Sequence, residues 1–158
     1  MKHSLKVGLS FGITSGIITT LGLMVGLHSS THSKIIIIGA VLTIAIADSF
    51  SDALGIHISE ESENTHTTKE LWESAISTLL SKFFFTLSFI IPILLFELLT
   101  AIIVNIIWGI LVLSILSNYM AKEQGDKRWK VIAEHIIIAL LVIALTHHVG
   151  DWVARTFI

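Results

Sequence analysis

Two acidic residues lie inside an apolar stretch of the sequence, where a carboxylate is costly to insert into a membrane. Asp48 and Asp52 are four residues apart, and in a helix this spacing places them about 40° apart on one face. An aspartate near the centre of a membrane helix costs roughly 2.5–3.5 kcal/mol to insert. Two on one face are therefore expected to meet a cation, water or a shared proton. The pattern predicts a cation-binding site, and a structural hydrogen-bonded pair is the alternative.

A second set of titratable residues lies near the end of the chain, at His147, His148 and Asp151. His147 and Asp151 share a helix face by the same four-residue spacing. Imidazole and carboxylate groups bind Fe²⁺, Mn²⁺ or Zn²⁺, and both groups carry protons. We predict these three residues as metal ligands or proton carriers. In the alternative interpretation, the carboxylate only fixes the tautomer of the imidazole.

Acidic side chains also crowd the segment between residues 59 and 73. The candidates for a cytoplasmic entry site are Glu60, Glu61, Glu63 and Glu70. A mouth rich in carboxylates would concentrate divalent cations before they enter. The alternative is that these residues simply keep a loop in water, and the sequence favours neither.

The elements that carry these residues are membrane spans. The 158 residues are 53% hydrophobic and 14% charged, with a mean hydropathy of +0.84, whereas a soluble domain has about 25% charged residues. A span needs about 20 mostly apolar residues. Five stretches qualify, with a tight hairpin at Glu97–Thr100 between the third and the fourth: approximately 5–27, 35–57, 72–96, 98–118 and 132–157. The sequence therefore predicts an all-α protein with a single five-helix transmembrane domain.

Basic residues give the expected orientation. Lys82 falls within a span, and with a cytoplasmic N-terminus only Lys34 and Arg155 would lie outside. The basic residues that would lie inside are Lys2, Lys6, Lys69, Lys122, Lys127, Arg128 and Lys130. This bias places the N-terminus in the cytoplasm and the C-terminus outside. Without an organelle signal, a prokaryotic plasma membrane is the simplest assignment.

Other features narrow the class of protein. Gly8, Gly12 and Gly16 repeat every four residues, a spacing that lets helix backbones approach closely. A net charge of −2 gives no electrostatic reason to bind nucleic acid. No nucleotide-binding loop, nucleophile elbow or zinc-protease motif occurs, so we expect neither an enzyme nor a tightly bound cofactor.

Two runs of residues resemble the first two helices of the vacuolar iron transporter family. They are Val7-Gly-Leu-Ser-Phe-Gly-Ile-Thr14 and Asp48-Ser-Phe-Ser-Asp-Ala-Leu-Gly-Ile-His-Ile-Ser59. The third helix with its late Pro92, and the ending that contains Glu134, His135 and the 146–151 segment, are similar to the family's later helices. The resemblance implies five membrane helices and a homodimer with the pathway at the subunit interface. It also implies proton-coupled export of Fe²⁺ or Mn²⁺ from the cytoplasm.

The sequence departs from the family pattern at the positions that would form its site. Phe11 stands where the family has an aspartate, Ile44 and Ile56 stand where it has glutamates, and Asp52 replaces a methionine. Asp48 replaces a small residue. Carboxylates are thus retained at new positions, while the loss of the thioether favours a harder cation such as Mn²⁺. The family's helical cytoplasmic metal-binding domain is reduced to a short acidic segment.

The sequence therefore predicts a divalent-metal transporter that partners with lipid, protons and a second copy of itself. Replacing both Asp48 and Asp52 by Asn is expected to abolish metal flux while leaving assembly intact. Two alternatives remain: a membrane scaffold or metal sensor that does not transport, and a proton pathway that needs no metal.

Overall fold

The computed structural model describes residues 2–157, and this part of the chain is all-helical, without strands. Its helices make up five segments that are long and apolar enough to cross a membrane, which indicates an integral membrane protein. The third segment, Thr68–Leu95, contains two helices, the second of which has only six residues. The helices are α1 His3–Thr31, α2 Lys34–Ser62, α3 Thr68–Ser88, α4 Ile90–Leu95, α5 Leu98–Gln124 and α6 Arg128–Phe157.

Several helices extend beyond the predicted apolar spans. Polar residues can continue a helix outside the hydrocarbon layer, so α2 runs to Ser62 although its apolar stretch ends near residue 57.

A capping box begins α3, in which the Thr67 hydroxyl accepts from the Glu70 amide while the Glu70 carboxylate accepts from the Thr67 amide. The chain reverses at His32 and Gly125, both with left-handed backbone conformations.

The first helix lies at the centre of the bundle, where it contacts α2, α3, α5 and α6. Its residues Ile17, Leu21 and Met24 are fully buried, and they form one core with Ile37 of α2 and Leu113 of α5. Large apolar side chains elsewhere point outward, with Phe50 63% exposed. Apolar side chains thus lie both in the core and on the outer surface, a distribution that suits a bundle surrounded by lipid.

Glycines bring α1 and α3 into close contact. A Cβ atom on Gly8 would lie 2.7 Å from the Cβ of Ser77, and one on Gly12 would lie 2.6 Å from the carbonyl oxygen of Thr78. The Ser77 hydroxyl donates to the carbonyl of Leu5 at 3.0 Å. Small residues on both helices thus permit backbone packing and a hydrogen bond between helices.

The third span is broken where proline requires it. Pro92 has no N–H to donate to the carbonyl of Ser88, and the helix is interrupted at Phe89 between α3 and α4. The buried Asn105 of α5 donates to the Phe89 carbonyl at 2.9 Å. The following turn lies at residues 96–97, so Thr100, which the sequence placed in a hairpin, already belongs to α5.

Ion pairs show which segments lie at the same end of the bundle. Lys2 contacts Glu73 near the start of α3, with 2.8 Å between the Nζ and Oε1 atoms. Lys6 pairs with Glu123 at the end of α5. The basic N-terminus, the acidic segment and the basic loop after α5 are therefore neighbours.

Candidate functional site

The carboxylates of Asp48 and Asp52 face α3, where both contact the side chain of Lys82. The distances from the Lys82 Nζ to the nearest oxygen of Asp48 and of Asp52 are both 2.5 Å. The same Nζ donates to the hydroxyl of Ser15 at 2.9 Å, and this hydroxyl donates to Asp52 at 2.6 Å. We refer to Ser15, Asp48, Asp52 and Lys82 as the aspartate–lysine cluster.

Lys82 is the most deeply buried member of the aspartate–lysine cluster. Its side chain is 1% exposed, and an ammonium group has three N–H donors. The three acceptors at Asp48, Asp52 and Ser15 match these donors in number. A buried charge is tolerated only when it is paired and hydrogen-bonded, so the cluster satisfies the condition for keeping an ion pair inside a membrane bundle.

The local sequence of α1 makes room for this lysine. A Cβ atom on Gly16 would lie 3.4 Å from the Lys82 Cγ atom, so the aliphatic stem of Lys82 runs along a glycine of α1. Ser15, the neighbouring residue, then reaches the Nζ atom. Three helices therefore contribute to the cluster: α1 gives the hydroxyl, α2 the carboxylates and α3 the ammonium.

The two carboxylates differ in their access to the surface. The Asp48 side chain is 32% exposed and that of Asp52 is 19% exposed. Asp48 and Ser51 line one end of a groove between α1, α2 and α6, with a volume of about 950 Å³. The groove passes apolar residues and reaches Ser30 and Val153 at its other end. Asp48 is thus the member of the cluster that lines the groove.

The histidines of α6 form a separate polar group. The Nδ1 atom of His147 lies 2.5 Å from the Ser29 hydroxyl, and its Nε2 atom lies 3.6 Å from Asp151. The rings of His147 and His148 are 5.7 Å apart. The structure thus brings the three predicted residues of α6 near one another and adds Ser29 of α1 to them.

The two predicted sets of metal ligands do not form one site. Ser15 contacts Asp52, and Ser29 contacts His147. These two serines are fourteen residues apart on α1, which corresponds to about 21 Å along the helix axis. Among the residues that the structure describes, no three histidine, aspartate or glutamate side chains are arranged to hold a metal ion.

Two of the four glutamates that the sequence predicts as a cation entry site instead make hydrogen bonds within the protein. The buried Glu60 accepts a hydrogen bond from Ser74 of α3 at 3.1 Å, and Glu70 accepts from the Thr67 amide at 2.9 Å. The remaining two, Glu61 and Glu63, are exposed, with an imidazole nitrogen of His66 3.6 Å from Glu63. Glu61 and Glu63 are therefore the carboxylates most accessible to a cation in solution.

Sequence reasoning missed Lys82 as a member of the site. The signal was present, because a lysine inside an apolar span needs a counter-charge and the preceding span offered two. The missing information was the register between α2 and α3. No family model and no curated protein sequence matches this chain, so the resemblance to the vacuolar iron transporters stays a prediction.

Proposed function

We propose that this protein is a membrane transporter that moves a divalent cation, Fe²⁺ or Mn²⁺, out of the cytoplasm in exchange for protons. The observation that carries the proposal is the aspartate–lysine cluster at the end of a groove. Ionised side chains inside a membrane protein are expensive and usually serve ion or proton movement. Two carboxylates on one helix face provide oxygen ligands, which suit a hard cation such as Mn²⁺.

The distribution of polar groups along the bundle supports a direction of transport. The exposed Glu61 and Glu63 lie at the same end as the basic N-terminus, which the positive-inside rule assigns to the cytoplasm. A cation would be attracted there, would bind at the aspartate–lysine cluster, and would leave past His147 and Asp151. A proton returning along this route would find the same carboxylate and imidazole groups.

The groove beside Asp48 supports a homodimer as the working unit. An ionised carboxylate that faces lipid is unfavourable, and a second copy placed against α1, α2 and α6 would cover it. In this arrangement the two copies would contribute four aspartates to one pathway. We further propose a prokaryotic plasma membrane as the location, because it is the simplest assignment for such a membrane protein.

The proposal is tested by metal uptake into proteoliposomes with an imposed pH gradient. Wild-type protein is expected to move Mn²⁺ and Fe²⁺, and Asp48→Asn is expected to abolish this flux. Asp126→Asn is the matched control, because it removes a carboxylate from the loop between α5 and α6. Undiminished metal flux in Asp48→Asn would refute the assignment, and tolerance of Asp48→Asn without flux in the wild type would favour a scaffold or sensor.

A second candidate function is a proton pathway that needs no metal. Lys82 already compensates one of the two carboxylate charges, and a single proton would compensate the other. Proton flux by wild-type protein in metal-free vesicles, unchanged when Mn²⁺ is added, would favour this candidate. Proton flux that requires Mn²⁺ on the opposite side would favour exchange.

A further inference from the structure

The positive charge of Lys82 already occupies the position between the two aspartates. Its Nζ atom is 2.5 Å from an oxygen of each carboxylate, so the ammonium is in direct contact with both aspartates. The formal charges of Asp48, Asp52 and Lys82 leave one net negative charge. A divalent cation that enters while Lys82 stays in place would turn this into a net positive charge next to a lysine that is 1% exposed.

We propose that Lys82 is an internal counter-ion that competes with the substrate cation for Asp48, and that it thereby determines the charge of the cation that the site accepts. This inference rests on the proposed function, because it takes the aspartate–lysine cluster as the transport site. Lys82 yields one carboxylate to the substrate and keeps the other.

The contacts identify which carboxylate Lys82 yields. Asp52 is bound by both Lys82 and Ser15, and Ser15 also accepts from Lys82. These three groups form a closed set of contacts on the buried side of the cluster. Asp48 has the more exposed carboxylate of the two aspartates, and it lines the groove. A cation that arrives through the groove therefore meets Asp48 first.

Competition between Lys82 and the substrate has a measurable consequence for affinity. Like charges a few ångströms apart repel strongly in a protein interior. The nearby ammonium therefore weakens the binding of a divalent cation at Asp48. Replacing Lys82 by Gln leaves two negative charges for the cation to compensate. We expect the Lys82→Gln protein to bind Mn²⁺ at least about tenfold more tightly than the wild type. Na⁺ is expected to compete with Mn²⁺ more effectively in the wild type than in Lys82→Gln, because one positive charge is enough to neutralise the net negative charge of the wild-type cluster.

The experiment is isothermal titration of full-length protein in nanodiscs with MnCl₂, with and without NaCl. Lys82→Arg keeps the charge and is expected to bind Mn²⁺ no more tightly than the wild type. Lys69→Gln removes an exposed lysine at the start of α3 and serves as the control for loss of one positive charge elsewhere. Gel filtration establishes that each variant is folded.

A second pair of variants answers the same question if Lys82→Gln fails to fold. Asp52→Asn removes one carboxylate and keeps the ammonium, whereas Asp52→Asn with Lys82→Gln removes both groups. The double variant is expected to bind Mn²⁺ more tightly than the single variant, since Asp48 is then free of its competitor.

The results separate this inference from the proposed function. Wild-type Mn²⁺ transport combined with equal or weaker Mn²⁺ binding by Lys82→Gln would overturn the role of Lys82 and leave the transporter assignment standing. An equal gain in affinity with Lys82→Arg would also overturn it, because the size of the side chain rather than its charge would then matter. Absence of Mn²⁺ binding in the wild type and in all these variants would overturn both.

Discussion

Replacing both Asp48 and Asp52 by Asn is expected to destabilise the protein, because it leaves the Lys82 ammonium buried without a counter-charge. The Lys82 side chain is 1% exposed, and the two asparagine amides would offer it carbonyl oxygens but no negative charge. Breaking a buried ion pair by removing one partner costs about 3–5 kcal/mol. The sequence predicted that this double variant would assemble normally, and the contacts with Lys82 reverse that expectation.

The size of the effect follows from the chain length. For a domain of 150–250 residues, 1 kcal/mol shifts Tm by about 2–4 °C, so the double variant is expected to lose roughly 6–20 °C. A triple variant that also carries Lys82→Gln removes the stranded ammonium. Replacing a whole buried ion pair by neutral groups of similar volume is often close to neutral. The triple variant is therefore expected to recover most of the loss.

The assay is thermal unfolding in one detergent, followed by the fluorescence of the four tryptophans. The expected order of Tm places the wild type and the triple variant together, with the double variant well below both. A double variant as stable as the wild type would show that Lys82 is not held by these aspartates. A triple variant no more stable than the double would show that the loss has another cause.

Three further predictions concern packing, capping and the helix break. Gly12→Ala is expected to destabilise the protein by about 1–3 kcal/mol through overpacking. Gly39 has nothing within 4 Å of its Cβ position, so Gly39→Ala is expected to raise the free energy of unfolding by up to about 1 kcal/mol. Equal Tm values for the two variants would contradict this prediction. Thr67→Ala should cost about 1 kcal/mol by removing a cap that Thr67→Ser retains, and no difference in Tm between them would refute the capping role. Asn105→Leu leaves the Phe89 carbonyl unpaired at a cost of about 1–3 kcal/mol, measured as a lower Tm, and an unchanged Tm would show that water replaces the amide.

The number and positions of the long helices could be predicted because hydropathy is a local property of the sequence. The shared face of Asp48 and Asp52 was likewise accessible from spacing alone. Lys82, the partner of both aspartates, could not be predicted in this way. Its contact with them depends on how α2 and α3 are aligned, and this alignment follows from the packing of the whole bundle. Helix ends were also missed, because polar residues such as Ser62 continue α2 without any hydrophobic signal.

Two other assignments show the same limit. Ser29 belongs to a polar segment that the sequence left outside the spans, yet it lies within hydrogen-bonding distance of His147. Glu60 belongs to an acidic run that could equally serve solubility or cation capture, yet it is buried against Ser74. In both cases the deciding contact joins residues that are far apart on the chain or separated by a turn, and periodicity carries no information about it.

The contact between α2 and α3 also has a consequence for the order in which the chain enters the membrane. Asp48 and Asp52 are synthesised before Lys82, which follows Asp52 by thirty residues. Until α3 is present, α2 carries two aspartates without their counter-ion, each costing roughly 2.5–3.5 kcal/mol at the helix centre. Transfer of α2 by itself is therefore penalised more than transfer together with α3, which supplies the Lys82 ammonium. The insertion energies thus favour a helical hairpin of α2 and α3 as the unit that enters lipid.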